Sequence, residues 1–239
     1  MRSNGISMDL GARAFERNGI VIAETLQQYA GLIPESHVLE IGCGSGRTAH
    51  ALAGYLQREP FVGMDIDQPS IEACQRNERL QACGFTFDWM DVQNDEYNPE
   101  GQCPASEYRF PYETATFDVI FLVSVFTHML TPDVENYIRE IGRMLTPGGH
   151  CLCTTFLIQP DYQRLGLTFQ HSVGEAYVRN PEFPEVAVGY PLGFFEGAFA
   201  AAGMKATRPP LYGEWRGTVE PAPVTRFPQD MLVYRKPAA

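Results

Sequence analysis

Lysine is nearly missing from this 239-residue chain, which carries only Lys205 and Lys236. Its 18 basic residues are outnumbered by 29 acidic ones, giving a formal net charge of −11. A basic stripe able to neutralise nucleic-acid phosphates is thereby excluded as the main working surface, and no nucleic-acid partner is expected. Met1 to Asp9 lack the apolar core of a signal peptide, and no apolar run reaches membrane-spanning length, so a cytoplasmic chain without a membrane partner is expected. The six cysteines, Cys43, Cys74, Cys83, Cys103, Cys151 and Cys153, never form two matched pairs at metal-ligand spacing. No metal is expected. Cys151 and Cys153 fall on one face of a strand and read as small buried apolar residues. Internal repeats, low-complexity tracts and inter-domain linkers are also absent, which leaves one domain over 1–239.

What is present is an alternation of short apolar runs with helical stretches. Leu10 to Leu32 carries an apolar stripe (Phe15, Ile20, Ile22, Leu26, Tyr29) and sets an N-terminal helix at 9–30, with Gly31 and Pro34 as its stop. Strands are expected at Val38–Ile41, Phe61–Met64, Phe85–Met90, Phe117–Val123 and His150–Leu157. Helices are expected between them at 46–57, 69–82 and from Pro132 to Leu145, the last broken by Thr146-Pro-Gly-Gly149. A helix at Leu192–Ala202 and strand-like segments at Met204–Tyr212 and Asp230–Tyr234 close the chain. Strands alternating with helices argue for a mainly parallel α/β sheet covered on both faces. Two polar, turn-rich stretches, 93–116 and 159–190, are longer than ordinary connections and are expected to form a lid or substrate-binding insertion.

The first strand runs into Gly42-Cys-Gly44-Ser-Gly46, a turn in which backbone N–H groups approach a ligand closely. A dinucleotide turn would need its third glycine where Arg47 stands, and no Lys-Ser/Thr follows as a P-loop requires. Three acids accompany the turn at the carboxyl ends of successive strands, where open α/β sheets bind ligands. Glu40 is placed to attract an ammonium or sulfonium, Asp65 to accept from ribose hydroxyls, and Asp91 to accept from an adenine amino group.

Val38-Leu-Glu40-Ile-Gly42-Cys-Gly44-Ser-Gly46-Arg47 resembles the first motif of class I S-adenosylmethionine-dependent methyltransferases, and more loosely the whole chain, including Tyr97 to Gly101, Ser124 to Met129 and Tyr212 to Trp215, is similar to bacterial small-molecule methyltransferases. Phe61-Val-Gly-Met-Asp65-Ile-Asp67 and Met90-Asp91-Val92 resemble their second and third motifs. The runs Phe117 to Met129 and Arg139 to Gly149 resemble the segments around strands four and five. The resemblance implies a Rossmann-like, doubly wound seven-stranded sheet of order 3-2-1-4-5-7-6 with strand 7 antiparallel. It implies S-adenosyl-L-methionine as cofactor, with contacts at Glu40, Gly42, Gly44, Gly46, Asp65, Ile66, Asp91, Val92 and Ser124. It also implies a small-molecule acceptor, expected to be a hydroxyl of a sugar or secondary metabolite. N- or C-methylation, or cofactor binding without methylation, stand as alternatives.

Methyl transfer from a sulfonium needs alignment and exclusion of water, plus a base only where the acceptor is a poor nucleophile such as an alcohol. His128, just beyond strand four, and His171, in the second long insertion, are the candidate bases. Each has a plain structural alternative as a capping or packed histidine. Tyr108, Tyr112, Tyr190, Tyr212 and Trp215 are candidate walls for the acceptor.

Overall fold

A computed structural model describes residues 4–57, 61–159, 169–217 and 227–238. Seven strands form one sheet: β1 (Val38–Ile41), β2 (Phe61–Asp65), β3 (Thr86–Trp89), β4 (Phe117–Leu122), β5 (Leu145–Thr155), β9 (Lys205–Ala206) and β10 (Asp230–Arg235). Their order is β3-β2-β1-β4-β5-β10-β9, with β10 antiparallel to both neighbours and the first five parallel. This is the expected 3-2-1-4-5-7-6 arrangement, with β10, the last strand along the chain, lying between β5 and β9.

Period-two alternation splits the apolar runs between two cores. Leu39, Ile41, Ile120, Leu122, Cys151 and Cys153 face one cluster, shared with α5 (Thr131–Met144) and α6 (Leu192–Ala201). Val38, Val119, Phe121 and Leu152 face the other, where Ile22 and Leu26 of α1 (Asn4–Tyr29) and Ala49 and Leu52 of α2 (Arg47–Leu52) pack. Cys151 and Cys153 are both buried, as their spacing indicates.

Several boundaries differ from expectation for local reasons. The helix expected over 69–82 is two, α3 (Gln68–Gln75) and α4 (Glu78–Ala82), because the Asn77 side chain accepts from the N–H groups of Arg79 and Leu80 and starts a new helix. Thr146 to Gly149 do not separate α5 from β5. They lie inside β5, where the β4–β5 register shifts between Phe117 and Val119 and Gly148 absorbs the irregularity at φ 89°. The strand expected from Met204 to Tyr212 is reduced to β9. The second long insertion is not irregular: β6 (His171–Val173), β7 (Ala176–Val178) and β8 (Val188–Gly189) make a small antiparallel sheet. Residues 160–168 of that insertion, and 218–226 of the proline-rich tail, lie outside the described residues.

Both insertions are tied to the body. Asn136 on α5 donates from Nδ2 to the carbonyls of Ala105 and Tyr108, at 2.7 and 2.9 Å. Arg143 donates to the carbonyls of Phe110 and Tyr112 and pairs with Glu140 at 2.7 Å. The second insertion is anchored where the buried Tyr190 hydroxyl donates to the Met129 carbonyl at 2.8 Å. A helical α5 can present these polar groups along one edge while its apolar stripe packs on the sheet. Among the described residues no helix is long and apolar enough to cross a membrane.

Candidate active site at the carboxyl edge of the sheet

Parallel register brings the ends of β1, β2 and β4 to one edge, with Ile41 opposite both Met64 and Leu122. The chain leaves β1 through Gly42, whose φ of 80° and packing admit no side chain: a Cβ there would lie 2.3 Å from Val125 Cγ2. Gly42 and Cys43 donate their N–H groups to the Met64 carbonyl, holding the turn against β2. Gly44, at φ 51°, has open space where a Cβ would stand, so this part of the turn leaves its backbone approachable. Asp65 fixes the turn's shape: Oδ2 accepts from Gly44 N at 2.6 Å and Oδ1 from Asp67 N at 2.9 Å. Burial raises the Asp65 pKa, and these backbone donors pull against that rise.

Glu40 is the least ordinary group of the site. The alternation of β1 turns it to the α1–α2 side, where it is only 2% exposed. One oxygen accepts from the Thr48 hydroxyl at 3.0 Å, while Oε2 is buried with no hydrogen-bond partner. Burial pushes its pKa up to about 8 against an ordinary 4.5. An acid with one orphaned oxygen in this position suits the amino group of an amino-acid-bearing cofactor, since only a cationic donor offsets the cost of its charge.

After β4, Ser124 adopts a left-handed backbone at φ 62°, uncommon for a side-chain-bearing residue and costing on the order of 1 kcal/mol. Its N–H donates to Thr154 Oγ1 at 2.8 Å and its hydroxyl to Gln229 Oε1 at 3.0 Å, so three segments hold the turn. The chain then makes a short 3-10 turn, Phe126–His128, that delivers His128 to the same edge. The His128 Nδ1 lies 2.9 Å from the Glu185 carbonyl and 3.5 Å from Glu96 Oε2. Both partners accept, so Nδ1 is the donor to them, and these contacts leave Nε2 unengaged among the described residues.

These pieces bound one cleft at the carboxyl edge of the sheet. Gly42, Asp65, Ile66, Val92, Ser124 and His128 all line it. Other expected site residues are placed differently. Glu40, Gly44 and Gly46 are not among the residues that line the cleft: the two glycines lie further along the turn, and Glu40 lies beneath it against Thr48. Asp91 turns one oxygen to the Gln102 N–H at 3.2 Å and serves the loop that follows β3. His171 is exposed on β6 opposite Val178 and is not brought to the cleft.

The expected aromatic walls are also elsewhere. Tyr112 donates to Asp88 at 2.7 Å, Tyr190 is a buried strut, and Trp215 donates to Asp230 at 2.8 Å. Tyr97 and Tyr137 line the cleft instead, Tyr97 edge-on to His128 at 5.3 Å between centroids. Tyr137 was hidden in the sequence because its place in the α5 stripe reads as core. Asn94 and Glu185 were hidden because only tertiary contact joins the two insertions: Asn94 Nδ2 donates to Glu185 Oε2 at 2.7 Å, across 91 residues of chain.

Comparison with known proteins agrees with this geometry. Residues 39–151 match the family model described as a methyltransferase domain. A phthiotriol/phenolphthiotriol dimycocerosates methyltransferase of Mycobacterium ulcerans is 31% identical over 117 residues, 49% of this chain and 36% of that protein. The 27-O-demethylrifamycin SV methyltransferase of Amycolatopsis mediterranei is 31% identical over 135 residues, 55% of this chain and 44% of that protein. The matched part thus spans less than half the length of these curated relatives. Among solved structures, a SAM-dependent methyltransferase of Methanosarcina mazei superposes with a TM-score of 0.60 at 17% identity, covering 90% of this chain and 97% of that one. Residues 39–151 thus match a methyltransferase domain, and the sheet order, glycine turn and acid-tipped strands around them have the arrangement of the class I S-adenosylmethionine-dependent methyltransferases.

Proposed function

We propose that the protein transfers a methyl group from S-adenosylmethionine to a hydroxyl of a small molecule, a sugar or secondary metabolite, with His128 as general base. The observation that carries this reading is that one cleft joins the glycine turn and Asp65 to His128, whose Nδ1 contacts leave Nε2 as a proton acceptor. The relative from Amycolatopsis mediterranei takes, by its name, an O-demethylated compound, in keeping with an oxygen acceptor.

In this reading Asp65 accepts from the ribose hydroxyls, Ile66 and Val92 flank the adenine, and Asp91 lies beyond its amino edge. The Gly42–Gly46 turn and Ser124 border the amino-acid portion, and Glu40 Oε2 receives its ammonium. Bound there, the cofactor supplies a methyl group already activated on a sulfonium. The protein's own part is to align the acceptor, exclude water and remove one proton. The described parts of the two insertions, 93–116 and 169–190, close over the acceptor as part of one domain, and the reaction takes place in the cytoplasm.

The test is a thermal shift with S-adenosylhomocysteine followed by transfer of labelled methyl to a panel of hydroxylated acceptors. Wild-type protein is expected to shift and to turn over. His128→Gln should keep the shift and lose about 10²–10⁴-fold in kcat. A wild-type protein that does not bind S-adenosylhomocysteine sinks the transfer reading, whereas unchanged turnover in His128→Gln sinks only the base.

A further inference from the structure

One polar side chain of the cleft spends all of its hydrogen bonds on the surroundings of His128. Asn94, in the first insertion, is only 9% exposed. Its main chain is fixed by a reciprocal pair of N–H to carbonyl bonds with Asn98, at 3.1 and 3.0 Å. From that footing Nδ2 donates to Glu185 Oε2 at 2.7 Å and to the His128 carbonyl at 3.3 Å. Oδ1 accepts from the N–H groups of Glu96 and Tyr97 at 3.2 and 3.1 Å. Both hydrogens and both lone pairs of the amide are thereby used. The reversed amide would set oxygen against oxygen and N–H against N–H at every contact, so the side chain has one setting.

The same partners bear on the imidazole. His128 donates from Nδ1 to the Glu185 carbonyl at 2.9 Å, with Glu96 Oε2 at 3.5 Å and the Tyr97 ring edge-on at 5.3 Å between centroids. Asn94 therefore grips the main chain of His128 and each of these three neighbours of its ring. Glu185 lies 57 residues from His128 along the chain, so nothing local holds that carbonyl to the ring. The amide joins them, through the Glu185 carboxylate on one side and the His128 carbonyl on the other. Which nitrogen of a neutral imidazole carries the proton is set by the hydrogen bond the other makes. A ring that donates from Nδ1 keeps its lone pair on Nε2.

We infer that Asn94 is a positioning residue for methyl transfer: by clasping Glu185 and Glu96 to His128 it holds the ring in the Nδ1–H tautomer, with Nε2 free to take a proton. This rests on the reading of His128 as the base. Asn94→Asp isolates the donor half of the clasp. It keeps an acceptor for the Glu96 and Tyr97 N–H groups but turns a carboxylate oxygen to Glu185 Oε2 and to the His128 carbonyl, so the clasp opens where it holds the ring's acceptor.

The experiment reads the ring directly and needs no acceptor. Protein carrying isotope-labelled histidine is studied by proton–nitrogen NMR at about pH 8, where an ordinary imidazole is neutral. The His128 signals are assigned by their loss in His128→Gln, and His37, held at the Thr116 carbonyl, is the unmoved reference. The wild-type ring is expected in the Nδ1–H form. In Asn94→Asp the ratio of Nδ1–H to Nε2–H should fall about fivefold, the worth of one net hydrogen bond, while the S-adenosylhomocysteine thermal shift persists. Asn94→Ala, which removes all four bonds, gives the same reading if Asn94→Asp does not fold. A residue that merely supports the loop would lower Tm and leave the ratio unchanged, and that result would overturn the inference. So would a wild-type ring in the Nε2–H form, or a variant that alone loses the S-adenosylhomocysteine shift, which would make Asn94 part of the cofactor site. A wild-type protein without that shift would instead sink the transfer reading, with the tautomer ratio still deciding what Asn94 does.

Discussion

Replacing Glu40 by glutamine should stabilise the empty protein and weaken cofactor binding, two effects of opposite sign from one atom. The Glu40 carboxyl keeps its proton to about pH 8 in the folded protein, whereas the unfolded chain loses it near 4.5. Between those values the folded state binds the extra proton, so stability is greatest below 4.5 and falls as pH rises towards 8. The slope approaches 2.303RT per pH unit and flattens near pH 8, giving roughly 2 kcal/mol from pH 6 to 8. For a chain of this size that corresponds to a loss of roughly 4–8 °C in Tm. Glutamine keeps an acceptor for the Thr48 hydroxyl but cannot ionise, so the Glu40→Gln melting curve should lack this component of the fall. Binding should move the other way. At pH 7 the wild type must shed about one proton to meet an ammonium, a release seen as buffer-dependent heat in calorimetry with S-adenosylhomocysteine. The variant should show no such release and bind about ten- to a hundredfold more weakly, the range for a hydrogen bond to a charged group. Parallel Tm-versus-pH curves for the two proteins, or equal affinity for S-adenosylhomocysteine, would refute the reasoning.

Gly42→Ala places a methyl group 2.3 Å from Val125 Cγ2 at a left-handed φ, so a loss of about 2–4 kcal/mol and of the S-adenosylhomocysteine shift is expected, read by denaturant melts and calorimetry. Asp230 accepts from Leu157 N, Gly213 N and Trp215 Nε1 at 2.8–2.9 Å and lies 3.6 Å from Arg216 Nη1, all in the interior. Asp230→Ala strands these donors and should cost about 3–5 kcal/mol in urea unfolding, with loss of order around β10. Asn77→Ala removes the cap that splits α3 from α4 and should cost about 1 kcal/mol without altering cofactor affinity.

Sequence alone determined the parallel sheet, the position of the glycine turn and the acids beside it. These are local: a strand-length apolar run, a residue that tolerates positive φ and a period of two or 3.6 are all read within about ten residues of chain. The same locality explains why Cys151 and Cys153 read correctly as core and why Asp65 was found at the end of β2. Tertiary structure decided which of those residues share a surface. It separated His128 from His171, two histidines the sequence could not rank, because only contacts between distant segments place one at the cleft and the other on an exposed edge strand. It moved Asp91 into a turn, and it brought Glu185 to within 2.7 Å of Asn94 across 91 residues. It also gave Glu40 its raised pKa, since burial belongs to the packed sheet and helices, not to the order of residues along the chain.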